Sequence, residues 1–388
     1  MTAPMPPRGS TILVFGHHDL DGIVSAAIAG SYLRHLGLQP VYATVDFGMK
    51  QAWARFWHDL ARGRSPWDRL NGQPMPAGLA IVDFQPTWLP DDCFLFFADH
   101  HKNSLDEVDP PVAGAIQQRR RRGEPICHDP ECGSCAELLL RELVGRDGWQ
   151  PPETLVEAAR LAHASDVAAF PSPSAAVDFE RSDLARADLF ALSLAEPEAA
   201  RSIAALEAGA LIREALVDLH ADRARDILQQ ANEARAAYER SRQMLMPNVA
   251  VFDFTTGPIP QRIKLAEFSD PRVHYAIQLR PGRITDTQAL VQGLIGRSPW
   301  APPLPPNLRH PDLEIIAREL AGGGGHPYAA GFQVVGRTLA QARAYAKSLA
   351  TLIAAELHPV PPHHPYADLR SERRPAAPQI RLPAAVSR

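Results

Sequence analysis

A chain of 388 residues, 45% of them hydrophobic, is long enough for two or more domains with buried cores. Its 40 Lys and Arg against 44 Asp and Glu leave a net charge of −4, which argues against a protein held to long nucleic acid mainly by phosphate neutralisation. No apolar run reaches the roughly 18 residues of a membrane span, residues 1–10 lack an apolar signal core, so a cytoplasmic protein is expected, and Cys93, Cys127, Cys132 and Cys135 make no disulfide framework in a chain this long.

Residues 11–16 (TILVFG) spell a short buried strand and residues 22–36 an alanine-rich helix. Residues 41–47 are strand-like, 51–61 helical, and 63–78 a loop rich in Pro and Gly. Two further apolar runs follow at 79–84 (LAIVDF) and 94–98 (FLFFA). Strands that are apolar nearly throughout and alternate with helices indicate a parallel sheet covered on both faces. The arginine run 119–122 is expected in a solvated loop; residues 135–143 and 152–164 read as helices. Residues 182–246, rich in Ala, Arg, Glu and Leu, read as a helical connector. A second segment carries strands at 248–254, 273–280 and 332–335 and helices at 313–320 and 339–357. No internal repeat is visible. The expected fold is therefore α/β: an N-terminal parallel sheet with helices on both faces (1–181), the connector (182–246), a smaller C-terminal mixed α/β domain (247–357), and a Pro- and Arg-rich tail (358–388) expected to be disordered.

The ionisable residues fall at particular places in this pattern. His17, Asp19 and Asp21 follow the first strand, Asp83 closes LAIVDF, Asp99, His100 and His101 follow FLFFA, and Asp166 follows the helix at 152–164. Ligands of parallel α/β sheets collect outside the carboxyl ends of the strands, so these side chains point at one cleft. A cleft with about four carboxylates and two or three imidazoles is destabilised by like charge unless cations sit in it. Two divalent ions roughly 3.5–4 Å apart resolve this, and such a pair serves phosphoryl chemistry. Mixed carboxylate and imidazole donors suit Mn²⁺ or Mg²⁺, with Zn²⁺ or Co²⁺ left open, and a closed thiolate zinc site is not indicated. A lone Asp after a strand is most often a turn or helix cap, and a lone His structural. Three separate strand ends carrying Asp or His outweigh that bland reading.

In this order the residues resemble the DHH phosphoesterase family. His17-x-Asp19-x-Asp21-Gly22 resembles its opening motif, Asp83 the second, Asp99-His100-His101 the third and Ser165-Asp166 the fourth. Gly322-Gly323-Gly324-Gly325-His326, followed by Ala329-Ala330-Gly331-Phe332, resembles the signature of the DHH-associated C-terminal domain, and residues 128–138 resemble the family's strand-to-helix segment. The matches span residues 11–335. The resemblance implies a phosphoesterase domain over 1–181 and a substrate-binding domain over 247–357. It implies that His17, Asp19, Asp21, Asp83, His100 and Asp166 bind two divalent metal ions, Mn²⁺ before Mg²⁺. Asp83 would bridge both, and a water they share, its pKa lowered by the cations, would be the nucleophile. His101 would touch the substrate phosphate and protonate the leaving oxygen, and Asp99 would support a ligand histidine. Arg280 resembles the family's phosphate-binding arginine, with Arg283 as a rival. Gly323, Gly324, Gly325 and His326 would clamp the substrate, their backbone N–H groups aimed at an anion. His18 has no counterpart in the motif. Cys127, His128, Cys132 and Cys135 allow a zinc reading, but buried thiols are expected.

The expected function is two-metal hydrolysis of phosphodiester or phosphomonoester bonds in a small nucleotide or short single-stranded nucleic acid. The near-neutral charge favours small substrates, as does the expectation that only a tail follows Leu357. The alternatives are a RecJ-type exonuclease on single-stranded DNA, towards which the compact opening motif leans, a pyrophosphatase or exopolyphosphatase, and a non-catalytic nucleotide sensor. Against the exonuclease stands an aromatic content of 7%, little for base stacking. Against the sensor stands the filling of every matched ligand position. Two lobes closing over substrate are expected, with 182–246 as hinge or spacer; the sequence leaves a homodimer open.

Overall fold

A strand covered on both faces buries every residue, and all of residues 11–17 except Thr11 are buried. In the computed structural model, which describes residues 5–45, 76–85, 89, 93–101, 110–285 and 287–358, they form β1 (Thr11–His17). It lies parallel between β2 (Gln39–Val45) and β3 (Gly78–Val82). With β4 (Phe94–Asp99) and β5 (Ile126–His128) the order is β2-β1-β3-β4-β5, all pairs parallel. On one face Leu13, Phe15, Leu79, Ile81, Leu95 and Phe97 form a core with Val112 and Ile116 of α2 (Pro110–Arg121). On the other lies α1 (Leu20–His35), whose Tyr32 ring sits 6.2 Å from that of Phe96. The chain runs from β1 to β2 on one side and continues with β3 on the other, which makes β1/β3 a topological switch point.

Two compact units divide the chain. The first holds residues 1–238 and 260–269, the second residues 239–259 and 270–388. Besides the sheet, the first unit contains α3 (Cys135–Leu143), α4 (Glu153–Asp166), α5 (Asp183–Ser193), α6 (Glu196–Glu207), α7 (Ile212–Leu216) and most of α8 (Ala221–Ser241). The span read as a connector thus carries four helices and ends in a strand, β6 (Arg242–Met246); α6 packs on α1 and β2.

The second unit is a six-stranded mixed sheet, ordered β10-β11-β9-β8-β7-β6. Its further strands are β7 (Val249–Asp253), β8 (Tyr275–Ile284), β9 (Ala289–Arg297), β10 (Gly324–His326) and β11 (Ala329–Gly336). Among the described pairings of this second sheet only β7–β8 is parallel. α9 (Leu313–Ala321) and α10 (Leu339–Glu356) join one core with the sheet. No helix among the described residues is long and apolar enough to cross a membrane.

One expectation is corrected. Arg119, Arg120 and Arg121 lie in the last turn of α2, where cations oppose the negative end of the helix dipole. Arg119 is buried, 3.3 Å from Glu124, and donates to the Cys93 carbonyl. The helix expected over 51–61, most of the loop over 63–78 and the tail beyond residue 358 lie outside the described residues.

The second unit has its own charge lock. At the end of β7, Asp253 meets Arg343 at 3.0 Å and Lys347 at 2.9 Å on α10. Burial pushes its carboxyl up, but Thr255, Lys347 and Arg343 outweigh that and hold it at about 2, below the ordinary 3.8. A depressed folded-state pKa stabilises the fold above the unfolded pKa, and that contribution disappears as pH falls through the folded value. The second unit should therefore lose stability between about pH 4 and pH 2. Asp253→Asn should remove that dependence and cost about 1–2 kcal/mol at neutral pH, measured by denaturant titration.

Candidate functional site

β1 ends in His17 and the chain turns at once into α1. Gly22 makes this turn possible: a Cβ there would lie 2.2 Å from the His17 carbonyl oxygen, so only glycine lets the helix start so close to the strand. Asp19 is the N-cap, its Oδ1 accepting from the Gly22 N–H at 2.9 Å. The cap uses Oδ1 alone, and Asp19 Oδ2 faces His17 Nδ1 at 2.7 Å. Burial raises the Asp19 carboxyl; the His17 contact and the Gly22 N–H outweigh it and hold the group below its ordinary range.

Asp83 follows β3 with φ of 55°, in the left-handed region that costs a residue other than glycine free energy and that Asp tolerates better than most. Its Oδ2 lies 3.8 Å from His17 Nδ1 and its Oδ1 3.4 Å from His100 Nε2. Asp83 Oδ1 is buried and accepts no hydrogen bond among the described residues. Burial, then the charges of Asp21, Asp19, Asp166 and Asp99, push the Asp83 carboxyl well above its ordinary range.

Asp21, on α1, accepts two backbone N–H groups at the N-terminus of α3, from Cys135 at 2.7 Å and Ala136 at 3.0 Å. Burial and the Asp166 and Asp19 charges still raise its carboxyl. His100 donates from Nδ1 to the Cys132 carbonyl at 3.2 Å. That contact leaves the Nε2 lone pair facing Asp21 at 3.7 Å, Asp83 at 3.4 Å and Asp166 Oδ2 at 3.4 Å. Burial lowers the His100 pKa and favours this neutral form.

His101 is bound from behind. Asp99, fully buried, accepts from its Nδ1 at 2.7 Å and from its backbone N–H at 3.1 Å. Burial pulls the imidazole down, but the Asp99 hydrogen bond and charge raise it to about 9. The side chain remains 46% exposed, and with Nδ1 engaged, Nε2 is the nitrogen left for a ligand.

Three overlapping groups of donor atoms lie within 4.8 Å of one another: His17–Asp19–Asp83, Asp21–His100–Asp166 and Asp83–His100–His101. The structure thus brings together every residue named as a metal ligand from the sequence. No cysteine joins these groups among the described residues. The cysteine segment contributes backbone instead: the Cys132 carbonyl orients His100 and the Cys135 N–H holds Asp21. The Cys135 thiol donates to the Ala98 carbonyl at 3.3 Å, and His128 donates to the His101 carbonyl at 3.0 Å. His18 is structural, bridging Thr44 Oγ1 and the Leu194 carbonyl at 2.8 Å each.

Sequence reasoning missed Lys264 and Asp188. Ser165 donates to Asp188 Oδ1 at 2.6 Å, and Lys264 Nζ lies 3.7 Å from Asp166 Oδ1. Burial pulls the Lys264 pKa down, but Asp188, Asp166 and Asp19 more than compensate and hold it above the ordinary value.

In the second unit Arg280 stands on β8, its guanidinium 5.7 Å from the Phe254 ring centroid and donating to Gln278 at 3.2 Å. The glycine run differs in part from expectation. Gly322 caps α9 with φ of 60°, and the N–H groups of Gly322 and Gly323 close that helix onto Arg318 and Ala317. These two N–H groups therefore face no anion. A Cβ on Gly323 would lie 1.9 Å from the Gly331 oxygen, so this position demands glycine for packing. Gly324, Gly325 and His326 form β10 against β11. The side chains of Arg283 and His326 are outside those described.

No protein-family model and no curated protein sequence matches the chain. Solved structures do. A pGpG-specific phosphodiesterase from Vibrio cholerae aligns at 16% identity over 89% of this chain and 99% of its own, with a TM-score of 0.52. An exopolyphosphatase-related protein from Bacteroides fragilis aligns at 14% over 90% and 93%, with a TM-score of 0.47. RecJ with Mn²⁺ from Thermus thermophilus aligns at 18% over 90% of this chain and 53% of its own, with a TM-score of 0.45. At these identities the likeness is one of fold, and the first alignment carries it.

Proposed function

We propose that this chain, which has the DHH-type fold, is a divalent-cation-dependent phosphoesterase acting on short oligonucleotides or small nucleotides. The observation that carries the reading is Asp83, a buried carboxylate shared by two groups of donors, with one oxygen that accepts no hydrogen bond among the described residues. Carboxylates and neutral imidazoles are donors for hard or borderline divalent ions, and the crowding of Asp21, Asp83 and Asp166 is the repulsion that such ions relieve. His17, Asp19 and Asp83 would hold one ion; Asp21, His100, Asp166 and Asp83 would hold the second, with Mn²⁺ favoured over Mg²⁺. When bound, the ions would neutralise the phosphate and lower the pKa of an attacking water. His100 is kept in its ligand tautomer by the Cys132 carbonyl, and Asp21 is held in place by the first turn of α3. His101, oriented through Nδ1 by Asp99, would present its Nε2–H to the leaving oxygen.

A linear dinucleotide is the first substrate to test, since a net charge of −4 argues against binding held mainly by neutralising the phosphates of a long strand, and the structural neighbour aligned over 99% of its own chain is named for pGpG. The experiment is product release with Mn²⁺ from linear and cyclic dinucleotides, 3′,5′-bisphosphorylated adenosine, five-residue RNA, long single-stranded DNA and pyrophosphate. Metal-dependent turnover of the short substrates supports the proposal. Preference for long DNA replaces it with a RecJ-type exonuclease, and Mn²⁺ binding without any turnover replaces it with a nucleotide sensor.

A further inference from the structure

We propose that Lys264 is a positioning residue: it pins Oδ1 of Asp166 so that Oδ2 stays turned to the cation pocket formed with Asp21 and His100. The inference rests on the metal-site reading above and adds a residue that no motif contains. Residues 260–269 fall between β7 and β8 in sequence, yet they group with the first unit. Gln261 anchors this strap by donating to Ser193 Oγ, and Ile263, Ala266 and Phe268 are buried within it. The anchoring places Lys264 Nζ 3.2 Å from Ser165 Oγ, 3.7 Å from Asp166 Oδ1 and 4.0 Å from Asp188 Oδ1.

The two oxygens of Asp166 therefore face different partners, Oδ1 the ammonium and Oδ2 His100 Nε2 at 3.4 Å. A carboxylate with both oxygens free rotates between one- and two-oxygen ligation; one with an oxygen on a fixed cation presents a single, oriented donor. Asp188 and Ser165 hold the lysine in turn. The Asp188 side chain is 6% exposed, needs a counter-charge, and accepts from Ser165 at 2.6 Å.

The test is Mn²⁺ titration of chelator-treated full-length protein without substrate, by calorimetry and by electron paramagnetic resonance. Lys264→Met should weaken one binding step about 10–100-fold and leave the other within error; Lys264→Arg should restore most of the loss. Should Lys264→Met fail to fold by circular dichroism, Lys264→Met/Asp188→Asn removes the lysine together with the charge it neutralises, and the same selective weakening is expected. Unchanged Mn²⁺ binding in the folded variants overturns the inference, whether KM for a dinucleotide rises, which makes Lys264 a substrate contact, or stays constant, which makes it a counter-ion for Asp188. Tighter Mn²⁺ binding in Lys264→Met also overturns it, since the lysine would then be competing with the ion. Wild-type protein that binds no Mn²⁺ overturns the metal-site reading as well, so the two failures are distinguishable.

Discussion

Replacing Asp83 by Asn lowers turnover about 10³-fold or more, an increase of ~4 kcal/mol in the barrier, and raises the melting temperature of the metal-free protein. Both effects have one origin. Asp83 is buried among Asp21, Asp19, Asp166 and Asp99, and its Oδ1 accepts no hydrogen bond among the described residues. Without cations that charge is repelled from several sides; with them it is the group the two donor sets share. Asn keeps the size and tolerates the φ of 55°, so the backbone has no reason to move. Relief of repulsion worth about 1 kcal/mol corresponds to roughly 2–4 °C for a unit of this size. Thermal melts in chelator and steady-state kinetics in Mn²⁺ check the two halves. A lower melting temperature contradicts the like-charge account, and retained turnover contradicts the role of Asp83.

The second large effect is at His101. His101→Ala should lower kcat about 10²–10⁴-fold, the usual worth of a positioned general acid, while Mn²⁺ affinity changes by less than about threefold because the remaining donors stay in place. In the proposed role the Nδ1 contact with Asp99 would set this division of labour, since it orients the ring and leaves Nε2 unengaged by Asp99. Asp99→Asn, which keeps the shape but unsettles the tautomer, should cost about 10–100-fold in kcat. Because His101 also lies within donor range of Asp83 and His100, a large loss of Mn²⁺ affinity in His101→Ala would reassign it as a ligand.

Much of the first unit was legible because parallel strands read as continuous apolar runs. β1, β3 and β4 stand where TILVFG, LAIVDF and FLFFA predict them, and α3 covers the nine residues CAELLLREL. The gathering of His17, Asp19, Asp21, Asp83 and His100 was legible for a related reason: residues that follow the carboxyl ends of neighbouring parallel strands converge, and Asp166 joins them from the end of α4. What sequence concealed came from elsewhere. The Cys132 carbonyl and the Cys135 N–H act through backbone, so residue type carries no trace of them, and the cysteines drew attention to their thiols instead. Lys264 and Asp188 are ordinary residues in unremarkable stretches, brought in by a strap and a helix whose placement no local pattern encodes. Arg119 looked solvated because the run of four arginines has no apolar neighbours to announce a buried partner, and Glu124 supplies one. β9 went unseen because Gly293 and Gly296 dilute its alternation and half its side chains face outward.

The most direct measurement is calorimetric titration of chelator-treated wild-type protein with Mn²⁺, followed by addition of a linear dinucleotide to the loaded sample. The account predicts two ions per chain, the stoichiometry lost in Asp83→Asn, and release of mononucleotides only from the loaded wild type. Hydrolysis that persists in chelator, or a wild-type chain that takes up no Mn²⁺, would contradict it.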